Sequence, residues 1–282
     1  MVLKSNNDFS YLFFDEKMLK DEELSLYIEQ TQESAYQEGK FKVFYQGKYD
    51  LKNDRFAASE ALVRWKDDRK GFINTQTFID VFERNGFVVK LDLFVFEQVL
   101  KDIKECERNG KEILPVSINI SRKHFDFDNS FDAYENLMKK YDVDGKYLIF
   151  EITESIILNS EINLTETIDR IHSLGSKVSI DDFGSGFSNL ALINHIDYDE
   201  LKIDKSLLYG KNGFDEYSKN IIKSIIKLNK GLKKTVICEG VEEKEESDFL
   251  KENGCDLIQG YYYAKPMPRE DFITLVEKTN NR

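Results

Sequence analysis

Past residue 40 the chain alternates between short runs rich in β-branched and aromatic residues and longer segments with helical spacing of apolar positions. FKVFYQ (41–46), FAASEALV (56–63), PVSINI (115–120), YLIFE (147–151), KVSID (177–181), DELKI (199–203), KTVICE (234–239) and DLIQ (256–259) read as strands. The segments 75–85, 90–108, 131–140, 161–174, 206–229 and 243–253 read as amphipathic helices between them. Residues 17–39 form a more polar helix with a weak stripe of Met18, Leu19, Leu24, Tyr27 and Ile28, and Gly39 is its stop.

Eight strands with helical crossovers predict an α/β fold, a (β/α)8 TIM-like barrel of ordinary size. The first two strands are joined by the turn-like LKNDR (51–55). That spacing suits a hairpin, so the first pair is expected to be antiparallel and the barrel irregular. An open doubly wound sheet is the alternative, but neither GxGxxG nor GxxxxGK[ST] occurs. The boundaries expected are a segment and linker helix over 1–39 and a catalytic domain over 40–282.

Composition narrows the function. With 282 residues, 41% of them hydrophobic, the chain can bury a barrel-sized core. A net charge of −12 disfavours long DNA or RNA as a partner, yet a small anion can bind where cations reverse the field locally. Cys106, Cys238 and Cys255 form no CxxC pair and read as reduced thiols. No apolar run approaches the ~20 residues of a membrane span, and charges fill the first twenty positions. The expectation is a cytoplasmic protein without membrane contact.

Polar residues gather where the strands end. Asn119, Glu151, Asp181 and Asp182, Lys202 and Asp204, Glu239 and Gln259 lie at or beside the carboxyl ends of apolar strands, and FAASEALVRW (56–65) contributes Glu60 and Arg64. In an α/β barrel those ends converge on one rim. Converging carboxylates repel one another unless cations sit between them. Oxygen donors without a His or Cys cluster favour Mg2+ or Mn2+ over Zn2+, and His124, His172 and His195 fall elsewhere. Adjacent Asp181 and Asp182 could bridge two ions, the arrangement used for in-line phosphoryl displacement. Each residue alone has a plainer reading: an N-cap for a lone Asp, turn chemistry for Asn119 or Glu239, a solvated charge for Lys202.

The same residues carry a family resemblance. FYQ (44–46), EALVRW (60–65), SINIS (117–121), FEITES (150–155), DDFGSGFSNL (181–190), LKID (201–204), EGVE (239–242) and QGYYYAKPMP (259–268) stand in order over most of the chain. The sequence resembles the EAL domain family, phosphodiesterases of the cyclic dinucleotide c-di-GMP. The resemblance implies two divalent cations, Mg2+ or Mn2+, and in-line water attack giving linear 5′-pGpG. By position it implies Glu60, Asn119, Glu151 and Asp181 around one ion, and Asp181, Asp182 and Glu239 around the other. Lys202, with Glu239 and Glu60, would be catalytic, the lysine lying beside the nucleophilic water. Gln46, Val63, Arg64, Asp204, Glu242 and Gln259 would bind substrate. Glu154 with Phe183, Gly184, Ser185 and Gly186 would form a regulatory loop at a homodimer interface. A catalytically weak c-di-GMP receptor is the alternative within the family, and broken ligands would be its mark.

Several positions depart from the family pattern. Gly47 stands where the family usually has Pro, Asn74 and Asp80 fall near places where Pro is also common in it, and Val63 replaces the usual Leu. The lost prolines are expected to loosen loops around the pocket without removing a ligand. FSYLFFDEKM (9–18) resembles the tail of a GGDEF domain, which implies a preceding domain in a longer protein.

Overall fold

The computed structural model describes residues 5–6, 9–10, 16–125, 131–159, 164–185, 196–210 and 213–281. The chain divides into two compact units, Met1–Lys42 with Arg64–Gly86, and Val43–Val63 with Phe87–Arg282.

The larger unit is an α/β barrel. Its strands belong to β3 (Phe41–Asp50), β4 (Arg55–Asp67), β6 (Val116–Asn119), β7 (Leu148–Thr153), β8 (Lys177–Phe183), β9 (Glu200–Ile203), β10 (Thr235–Glu239) and β11 (Leu257–Gln259). They pair in the order β3-β11-β10-β9-β8-β7-β6-β4, and pairing of β3 with β4 closes the ring. From β4 through β11 the neighbours are parallel, while β3 runs antiparallel to β11. The irregular first strand expected from the tight LKNDR turn is therefore present: a turn that short cannot carry the chain back for a parallel pairing.

Helices cover the strands because their apolar residues recur on one side. In α3 (Val88–Arg108), Val88, Leu91, Val95, Val99 and Ile103 are buried, a stripe at helical spacing. Among the described residues the other α-helices of this unit are α4 (Asp132–Tyr141), α5 (Glu154–Asn159), α6 (Leu164–Ser173), α7 (Lys205–Leu208), α8 (Glu216–Gly231), α9 (Lys244–Glu252) and α10 (Arg269–Asn280). The expected single helix 206–229 is two pieces, because Asp204 caps α7 and Asp215 caps a fresh start at α8. A short strand, β12 (Met267–Pro268), pairs with Tyr45 and Phe44 of β3.

The smaller unit holds the hairpin β1 (Ser5–Asn6) with β2 (Phe9–Ser10), the helix α1 (Glu16–Gln37), β5 (Gly71–Ile73) and α2 (Thr75–Asn85). Phe41, Trp65, Phe78 and Phe82 form its aromatic centre, with Phe41 and Trp65 ring centroids 4.9 Å apart. Asn74 caps α2 by accepting from the Thr77 amide, and left-handed Gly86 ends it. Asn74 and Asp80 thus belong to a capped helix, which answers the expectation of a loosened loop there. Among the described residues no helix is long and apolar enough to cross a membrane, and all three cysteines are buried thiols.

Candidate active site

Parallel register aligns the polar residues at one rim. Asn119 lies level with Glu151, Thr153 with Asp181, and Glu239 with Gln259. At their centre is Lys202, only 1% exposed. Its ammonium stands 2.7 Å from Glu151 Oε2, 2.8 Å from Glu239 Oε1, 2.9 Å from Asp181 Oδ1 and 3.4 Å from Glu60 Oε2. Asn119 donates to Glu60 Oε1 at 2.9 Å, and Gln259 donates to Glu60 Oε2 at 2.5 Å. Gln259 also donates to Gln46 Oε1, whose own amide donates to the Ala264 carbonyl.

Asp181 and Asp182 are neighbours, and in a regular strand neighbours face opposite sides. Here the pairing of β8 with β9 shifts register between Ile180 and Phe183. Asp182 takes a left-handed backbone with φ of 56°, a conformation a non-glycine residue adopts at a cost. The bulge brings both carboxylates to the same side. Asp181, Asp182 and Glu239 offer oxygens within 4.8 Å of one another, and so do Glu60, Glu151 and Asp181. Two overlapping triads share Asp181.

The electrostatics follow from burial and crowding. Burial pushes the Asp181 carboxyl well above its usual range, and Glu239, Glu151 and Glu60 push the same way against Lys202. Burial raises Glu239 to about 7, with Lys202 opposing and Glu60 adding. Asp182 is raised by burial too. Glu151 is the exception: burial would raise it, but the Lys202 and Lys48 ammonium groups overturn that and hold it at about 2. For Lys202 burial favours the neutral amine, yet the surrounding carboxylates keep its pKa well above the ordinary value. More negative charge converges here than the two lysines neutralise. An acidic cluster with only oxygen donors is suited to a hard divalent cation.

Beside the cluster a cleft of about 350 Å3 is lined by Gln46, Glu60, Leu62, Asp204, Glu239, Glu242, Gln259 and Tyr261, among others. Asp204 fills the plainer role as well, capping α7 through the Ser206 amide. Val63 is half-buried against the barrel core. Arg64 belongs to the smaller unit, where its guanidinium donates to Thr75 Oγ1 at 3.4 Å. Glu154 Oε2 accepts from the Gly184 amide at 3.4 Å, Phe183 is buried and Ser185 exposed, while Gly186 lies outside the described residues. His124 contacts Asp92 and Tyr134, His172 contacts Asp199, and His195 is outside the described residues.

Sequence reasoning missed Lys48. The strand expected over 41–46 in fact continues through Gly47 to Asp50. Lys48 is fully buried, 2.7 Å from Glu151 Oε1. Its signal was alternation: position 48 shares a strand face with Gln46.

The EAL domain profile matches residues 29–266. The chain is 28% identical over 256 residues to the cyclic di-GMP phosphodiesterase NbdA of Pseudomonas aeruginosa, covering 91% of this chain and 33% of that one. It is 29% identical over 242 residues to the probable cyclic di-GMP phosphodiesterase PdeG of Escherichia coli, covering 86% and 48%. The chain thus spans between a third and a half of these curated relatives. Among solved structures, the cAMP-bound form of the EAL enzyme Bd1971 superposes with a TM-score of 0.82 at 32% identity, over 92% of this chain and 72% of that one. The MucR phosphodiesterase in complex with c-di-GMP gives 0.79 at 25% identity, over 87% and 99%.

Proposed function

The chain belongs to the EAL domain family, and on that premise we propose that it hydrolyses c-di-GMP to linear 5′-pGpG with the help of two divalent cations, Mg2+ or Mn2+. The observation that carries this reading is the pair of carboxylate triads sharing Asp181. The fit to cations rests on the chemistry of the cluster: all-oxygen donors, carboxyls of Asp181, Asp182 and Glu239 raised by burial and then by their acidic neighbours, and too few lysines to balance them. Glu60, Asn119, Glu151 and Asp181 would hold one ion, and Asp181, Asp182 and Glu239 the other. When bound, such ions lower the pKa of water and take up charge on phosphoryl oxygens.

The chain's own residues supply the rest. Lys202 reaches the cluster as a fixed positive charge, so it orients an attacking oxygen and stabilises charge that builds on the phosphoryl oxygens. Lys202 is assigned this electrostatic role, and general-base chemistry is assigned elsewhere in the cluster. Gln259 and Gln46 form a chain of amides that fixes Glu60 and borders the cleft. The cleft's mix of polar side chains with Leu62 and Tyr261 suits a guanine ring and its ribose phosphate. Arg64 is assigned to hold the ligand's phosphate on the strength of the family motif.

Purified protein incubated with c-di-GMP and Mg2+ or Mn2+, with products resolved by chromatography and Glu60→Ala as control, tests the proposal. 5′-pGpG formed by the parent and lost in the variant supports it. Binding without product in saturating Mn2+ would replace it with the receptor reading. The homodimer implied by the resemblance of the DDFGSGFSNL motif (181–190) is checked separately by light scattering.

A further inference from the structure

Lys48 projects from β3, yet its contacts are on β6 and β7, which neighbour neither face of that strand in the ring. Its ammonium therefore crosses the barrel interior to reach Glu151 Oε1 at 2.7 Å and Ser117 Oγ at 2.5 Å. Both ends of the pair are fully buried, each side chain 0% exposed. The other oxygen of Glu151 is taken by Lys202 at 2.7 Å. Glu151 thus spends both oxygens on two different lysines.

The two lysines are not equivalent. Lys202 is shared among four carboxylates, so losing Glu151 still leaves it Glu60, Asp181 and Glu239. Lys48 has one carboxylate partner among the described residues, and no solvent reaches it. Parting it from Glu151 would strand an ammonium in the barrel, which is costly. A cation arriving at the rim can compete for the oxygen held by Lys202, whereas the oxygen held by Lys48 stays engaged. The fixed positive charge also opposes any second cation nearby, since interior charges interact through a low dielectric.

We propose that Lys48 is a positioning residue that limits Glu151 to one available oxygen, weakening the hold on a divalent cation while stabilising the cation-free barrel. This rests on the reading of the acidic cluster as a metal site. It separates two quantities that a merely structural lysine would move together.

The test uses Lys48→Met, which keeps length and volume, and Lys48→Gln, which keeps a hydrogen-bond donor without the charge. Mn2+ binding is measured without substrate by calorimetry, and melting temperature is measured in chelator and in saturating Mn2+. The expected result is Mn2+ affinity about tenfold or more tighter in both variants, from the lost repulsion. In chelator the variants melt several degrees lower, because Glu151 has lost a buried partner, and Mn2+ narrows the gap. Unchanged or weaker Mn2+ affinity in the variants, with the parent binding normally, would overturn the role of Lys48 and leave the metal reading standing. No Mn2+ binding by the parent would overturn that reading, and this inference with it.

Discussion

The side-chain amide of Asn119 donates to Glu60 Oε1 at 2.9 Å, joining the end of β6 to the middle of the adjacent strand β4. Asn119 is solvent-exposed while Glu60 is buried, so one partner opens to the rim and the other is held by it. Under the proposed function both offer oxygens to the same ion, and they should fail differently. Glu60→Gln removes a charged donor and is expected to cut turnover by about a thousandfold or more. Asn119→Ala removes a neutral donor and an orienting bond, so the Mn2+ needed for half activity should rise roughly 10–100-fold, with the rate largely recovered at saturation. Product formation across a Mn2+ titration distinguishes them. Equal, unrecoverable losses in both would refute the division of roles.

Lys202 offers a second test. Four carboxylates contact its ammonium, so Lys202→Met leaves a buried cluster with no central cation. Unfolding of the variant in chelator should show a loss of about 3–5 kcal/mol. Saturating Mn2+ should restore much of that stability but not the activity, which should remain down about a hundredfold. Near-normal turnover in Mn2+ would remove Lys202 from the chemistry.

How much of this was legible beforehand depended on whether local pattern and tertiary geometry agreed. Glu151, Asp181, Lys202 and Glu239 stood out because each polar residue closes an apolar strand, and parallel register carries such ends to one rim. Asp182 was legible as a residue but not as a geometry. Alternation alone points it away from Asp181, and the bulge with its left-handed backbone lies in the pairing of β8 with β9, which alternation does not encode. Lys48 was hidden behind a glycine that ends most strands but here continues one. The helix α10 escaped notice because only Phe272 and Val276 of its residues are buried, too thin a stripe to declare a face. The roles of the cleft residues came from motif resemblance, since no periodicity encodes which amide meets a ligand.

A pH-dependent contribution to stability is expected away from the rim. Glu97 on α3 meets Lys140 at 2.8 Å and the Tyr141 hydroxyl at 2.6 Å, both on α4. Hydrogen bonds from Lys140 and Tyr141, against some burial, lower its pKa from 4.5 to about 2. The folded state therefore favours the carboxylate. The stabilisation is complete above the unfolded value and is lost as pH falls through the window from 4.5 to about 2. Solvent screens these side chains, so its size is about 1 kcal/mol or less. Urea unfolding should show Glu97→Gln less stable than the parent at neutral pH, with the difference shrinking in acid. A difference that stays constant with pH would sink this assignment.

Gly47 supplies the last test, because its departure from the family's usual proline turns out to be matched by a neighbour. The residue sits inside β3, so the expected loosening of a loop does not arise there. A Cβ at position 47 would lie 2.5 Å from Cδ1 and Cε1 of Phe56 and 3.1 Å from Phe272 Cε2. The Phe56 ring cannot simply retreat. It is buried with its edge against Tyr49, centroids 5.3 Å apart at 86°, and it meets Phe272 at 6.2 Å and 69°. Gly47→Ala is therefore expected to destabilise the barrel by about 1–3 kcal/mol through overpacking. In a Phe56→Leu background the same substitution should cost much less, giving a coupling free energy above about 0.5 kcal/mol in a double-mutant cycle read by urea unfolding. Additive effects would mean that the Phe56 ring is not what demands glycine at this position.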